Sequence, residues 1–72
     1  MKLVRTHHGT VEVADTTKII IVEYRNGFRN DVIPMASWIT MDQAVARAHV
    51  LKDGKLSVGY KATTWDYKVE AV

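Results

Sequence analysis

The chain has 72 residues, 47% of them hydrophobic and 25% charged, with ten Lys and Arg against eight Asp and Glu and no cysteine. A length near the lower limit for an independent domain allows one domain with a thin core, burying about 60% of the surface its unfolded form exposes. Without Cys, disulfide frameworks, thiolate zinc sites and iron–sulfur clusters are excluded, and a reducing, cytoplasmic setting is the expectation.

The N-terminal residues Met1 to His8 contain no apolar run of the kind a secretory signal carries, and no later stretch approaches the roughly 20 apolar residues of a membrane span. Lys2 to Thr6 and Thr10 to Ala14 read as strands. His7-His8-Gly9 between them suits a hairpin loop whose last residue takes the left-handed conformation that Gly adopts cheaply. Asp15-Thr16-Thr17 turns the chain into Lys18 to Arg25, the strongest β-forming run in the sequence. Asn26-Gly27 follows, a pair that tolerates the positive φ angles of a type I′ turn, and the return strand from Phe28 to Ile33 stops near Pro34, which donates no ladder bond.

One helix is expected next. Thr40-Met41-Asp42-Gln43 reads as a capping box, in which the Thr40 hydroxyl accepts from the Gln43 amide and the Gln43 side chain reaches back. Met41, Ala44, Val45, Ala48 and Leu51 form one apolar stripe, and Lys52-Asp53-Gly54 supplies a cation and a terminating Gly, for a helix of about three turns. Leu56, Val58, Tyr60 and Ala62 then alternate with polar or small residues, as do Trp65, Tyr67, Val69 and Ala71. A hairpin turning at Thr63-Thr64 would face Ala62 with Trp65 and Leu56 with Ala71 on an apolar side, and Lys61 with Asp66 and Ser57 with Glu70 on a solvated side.

This order predicts a single α+β domain over residues 1–72: an antiparallel sheet with a meander of about four strands, one helix on one face and a C-terminal hairpin. The run Lys18 to Arg25 is apolar in both directions, with Ile20, Val22 and Tyr24 on one side and Ile19 and Ile21 on the other. One short helix covers only one of those sides. The other is expected to curl into a small barrel, to pair with a second copy or to bind a different protein, unless it is a central strand with a patchily apolar second face. If Lys2 to Ala14 is one bent strand, the element order resembles that of the oligonucleotide/oligosaccharide-binding barrel, a likeness of topology across most of the chain that rests on no diagnostic motif.

Chemistry-bearing patterns are sparse. His7 and His8 are adjacent and point to opposite sides of an extended chain, and His49 is remote on the helix. No metal-ligand spacing arises. Ser37 and Ser57 have no base placed beside them, and Gly9, Gly27, Gly54 and Gly59 are isolated rather than gathered into a phosphate loop, so no enzyme and no cofactor is expected. The most suggestive stretch is the hairpin tip from Tyr24 to Asn30. Tyr24, Arg25, Asn26, Phe28 and Arg29 would form a projecting finger rich in the residue types that dominate interfaces. Its structural reading is that Tyr24 and Phe28 pack on the core while the Arg side chains solvate the turn. Trp65 is expected in the core, and Trp38 as a lid over it or an interface anchor.

The function expected from these residues is that of a small protein-binding module, an inhibitor, adaptor or assembly factor such as phages and other mobile elements carry. It would act through the tip, Trp38 and a sheet face containing Ile19 and Ile21, with another protein or a second copy as partner. The alternative is a single-strand-binding barrel using Arg5, Lys18, Arg25 and Arg29 on nucleic acid phosphates.

Overall fold

A computed structural model describes residues 1–57 and 64–72. In chain order it has β1 (Lys2–Thr6), β2 (Gly9–Val13), β3 (Ile19–Arg25), β4 (Phe28–Pro34), α1 (Met41–Ser57) and β5 (Trp65–Ala71). The strands form two antiparallel sheets, one of β1 and β2, the other ordered β4-β3-β5, and no closed barrel is present among the described residues. The α+β architecture with a helix on one sheet face is the one the sequence implies.

Both turns carry the backbone their residues favour. Asn26 and Gly27 take φ of 53° and 84°, closing the β3–β4 hairpin as a type I′ turn, and Gly9 takes 125° at the end of the first hairpin loop. The Thr6 hydroxyl completes that loop, donating to the Gly9 carbonyl at 2.9 Å and accepting from the His8 amide at 3.2 Å.

The two faces of β3 are covered by different elements. Ile20 and Val22 pack with Val32 of β4 against Val4 and Val13, with Val11 and Tyr24 at the margin. Ile21 packs with Met35, Ala44, Ala48 and Tyr67 beneath α1, joined by Ile19, Ile33, Leu51 and Val69. The surplus apolar side is therefore covered by the β1–β2 hairpin. It folds across the sheet after a turn in which the Thr17 amide bonds the Ala14 carbonyl, with the Thr17 residue itself buried. The four-strand meander thus splits into a layer of its own and part of the main sheet, giving hairpin, sheet and helix as three layers. Ile21, expected on an open face, is wholly buried.

The capping box forms with both bonds, the Gln43 amide to the Thr40 hydroxyl at 3.2 Å and the Thr40 amide to the Gln43 side-chain oxygen at 2.9 Å. The helix then runs past its expected end through Gly54 to Ser57. Lys55 in the added turn sits 4.3 Å from the Trp65 ring centre, a cation–π contact that ties the end of the helix to β5. Leu56 is consequently helical and not the start of a strand. Ala71 pairs with Ile19 and Glu70 with Ile20, so the expected pairings with Leu56 and Ser57 are replaced by a ladder on β3. The remainder of that expected strand, Val58 to Ala62, and Thr63 of its expected turn lie outside the described residues.

The outer margin of β4 is poor in free donors. The Met35 amide bonds Ile19, which fixes the alternation of the ladder and turns the main-chain groups of Val32 and Pro34 outward. The Val32 amide is taken by the Asp31 carboxylate at 2.8 Å, Pro34 has no amide hydrogen, and the Arg29 carbonyl accepts the His7 amide at 2.6 Å.

Candidate functional site

The hairpin tip is tied down rather than projecting freely. Arg29 donates from Nη1 to Glu70 Oε2 at 2.7 Å and to the Tyr24 hydroxyl at 3.1 Å, and from Nε to the Arg5 carbonyl at 2.9 Å. Its burial disfavours the charge, but the bonds to Glu70 and Tyr24 outweigh that cost and raise its pKa, so the guanidinium is a fixed cation tying β4 to three other strands. Asn26 staples the turn to the start of β5: its amide donates to the Thr64 carbonyl at 2.8 Å and its side-chain oxygen accepts from the Thr64 amide at 3.0 Å. Tyr24 packs on the hairpin layer. Phe28, expected to pack likewise, is 58% exposed and lies 4.8 Å from the His7 ring. Arg25 lies on the opposite sheet face from Tyr24, 5.5 Å from the centre of the buried Trp65 ring.

The four cations considered for nucleic acid do not converge. Arg25 and Arg29 address opposite faces of the sheet, Arg5 belongs to the hairpin layer, and Lys18 precedes β3 at the end remote from Arg25, about 23 Å away along an extended strand. Likewise no three His, Asp or Glu side chains gather as a metal site among the described residues. Nor is any described helix long and apolar enough to cross a membrane.

A polar chain links the two hairpins to the helix side of the sheet. Glu23, 9% exposed, accepts from the Tyr67 hydroxyl at 2.6 Å and from Asn30 Nδ2 at 2.7 Å, and Asn30 Oδ1 lies 2.8 Å from His8 Nε2. Burial and the adjoining Glu23 carboxylate, followed by the Asp31 charge, push the Tyr67 phenol well above its ordinary pKa. Such a phenol stays a donor and is no base.

What remains open is a groove of about 340 Å³ between α1 and β5, lined by Met41, Val45, Ala48, His49 and Lys52 on one side and by Asp66, Tyr67, Lys68 and Val69 on the other. Its origin is visible in the helix. Ala44, Ala48 and Leu51 turn inward, so Met41, Val45 and His49, one turn apart from each other, form the flank beside β5. Met41 and Val45 stay 44% and 41% exposed although the stripe was expected to bury them. Lys52 and Asp66 span the groove at one end with an ion pair at 3.6 Å. Trp38, 79% exposed, stands in the connection that leads into the other end of the helix. A second depression, bounded by Gln43, Ala46, Arg47, Val50 and Leu51, is built among the described residues from one helix alone.

Of the expected contact residues, then, Trp38 and Phe28 are exposed, Ile21 is core, Ile19 is partly buried against the helix side, and Tyr24, Asn26 and Arg29 serve the fold. Met41 and Val45 were missed because their apolar spacing is that of a core stripe, and the remaining groove residues because nothing local sets them beside the helix. Comparison with known family models, curated proteins and solved structures finds no match to this chain.

Proposed function

We propose that this chain is a small non-enzymatic protein-binding module, an inhibitor, adaptor or assembly factor, whose binding surface is the α1–β5 groove together with the exposed Trp38 in the connection before α1. Its size and Cys-free composition suit an accessory protein of a phage or other mobile element acting in the cytoplasm. The observation that carries this reading is the groove itself: two aliphatic side chains more than 40% exposed, on a rigid helix, facing a strand across a polar-rimmed cleft. Exposed apolar surface ringed by polar groups is what a protein interface requires, and a binder needs no reacting group.

The test is capture from native cell extract by the tagged chain, at low salt and at about 0.5 M salt, with Val45→Lys and Trp38→Ala alongside. A partner retained at high salt and lost with Val45→Lys supports the groove. Capture unchanged by both substitutions overturns it, and capture of nucleic acid that fades steeply with salt would favour the phosphate-binding alternative instead.

A further inference from the structure

We infer that the occupant of the groove is a second copy of this chain, added antiparallel along the outer margin of β5; this rests on the groove being a protein-binding surface. Bonds at both ends of the β3–β5 ladder, Val72 amide to Lys18 carbonyl and Asn26 amide to Thr64 carbonyl, fix its alternation. The main-chain groups of Asp66, Lys68 and Glu70 face β3, and those of Tyr67, Val69 and Ala71 face outward. Among the described residues β5 has a strand neighbour on one side only. Four consecutive residues, Asp66 to Val69, line the groove. Side chains alternate along a strand, so an unbroken run of four marks the wall as the strand's edge and not one of its faces. In the isolated chain the Asp66 carboxylate occupies the Tyr67 amide at 2.9 Å, leaving Val69 and Ala71 to lead the pairing.

Charge identifies the occupant. Asp66, Lys68 and Glu70 share one side of β5 and alternate in sign. Within the chain Asp66 already meets Lys52 at 3.6 Å, Lys68 stands 5.0 Å from the Tyr24 ring centre and Glu70 accepts from Arg29 at 2.7 Å, so charges across the new edge add to these contacts. In an antiparallel pair with Val69 on the two-fold axis, Lys68 of each copy faces Glu70 of the other; with Tyr67 on the axis, it faces Asp66. Either register yields two opposite-charge pairs. The same addition brings the Met41 and Val45 flanks of the two copies together over the joined strands. A foreign strand would have to carry this pattern, whereas the chain supplies it to itself.

Sedimentation of the purified chain between about 10 µM and 1 mM is expected to show a monomer–dimer equilibrium. Val69→Pro removes an outward amide hydrogen without touching the β3 ladder, and Lys68→Glu opposes like charges; each is expected to weaken the dimer about tenfold or more. Circular dichroism and melting establish that each variant is folded. Mixing Lys68→Glu with the Asp66→Lys/Glu70→Lys double variant sets three acids against three bases and is expected to restore pairing that neither forms alone. A chain monomeric throughout that range overturns the inference, as does a dimer indifferent to both Val69→Pro and the charge changes. If the chain is monomeric but Val45→Lys abolishes capture of a partner, self-pairing falls and the groove stands. If Val45→Lys alters neither association nor capture, both fall.

Discussion

Glu23 is a buried acid in the middle sheet strand with a phenol and an amide as its donors. Burying an acid is tolerated where its oxygens are taken up by donors, and Tyr67 supplies the shorter of the two bonds. Tyr67→Phe is expected to cost about 1–3 kcal/mol at neutral pH by leaving one carboxylate oxygen unpaired. The pH dependence has a definite sign. Because the folded state raises the Tyr67 pKa, the stability it contributes is complete below the ordinary phenol value of about 10 and is lost as pH climbs past it toward the folded value. Denaturant melts from pH 7 to 12 should show the wild type losing stability more steeply above pH 10 than Tyr67→Phe. None of this network was legible in the sequence, since Glu23, Asn30 and Tyr67 come from three strands, and the alternation that marks Tyr67 as inward-facing does not name the acid its hydroxyl meets. Asn26-Gly27 was legible because the requirement for positive φ is local and few residue types meet it.

The helix divides in the same way between what is local and what is not. Its start is written in Thr40 and Gln43, which need only each other. Its end is not, because Gly54 competes as a terminator with the contact that Lys55 makes on Trp65, a residue from another element. Gly54 lies inside α1, is not among the glycines with positive φ, and has open space where a Cβ would stand. Gly54→Ala is therefore expected to stabilise the protein by about 0.5–1 kcal/mol, read as a rise in melting temperature. A terminating glycine in the left-handed region would give the opposite sign. Leu56 and Ser57, expected to open a strand, extend the helix instead for a related reason: their place in an alternating pattern does not outweigh a helix already nucleated and capped upstream.

At the scale of the whole molecule, the sequence correctly declares more apolar β surface than one helix can cover, and misassigns what covers it. The missing cover is the protein's own first fourteen residues. Val4, Val11 and Val13 are too few and too dispersed to announce a second layer, and only the turn at Ala14 to Thr17 brings them over Ile20 and Val22. Ile21, on the helix side, has no exposure. Ile21→Lys should accordingly unfold the chain, at a cost of order 4–5 kcal/mol that rivals the entire stability of so small a domain. Circular dichroism showing a folded Lys variant would contradict the helix-side packing. The blunting of β4 by Asp31, Pro34 and the His7–Arg29 bond has an effect beyond its own strand. A sheet receptive along both margins can accept neighbours without limit and grow into a fibril, whereas one that lacks donors along one side is biased toward a single joining event.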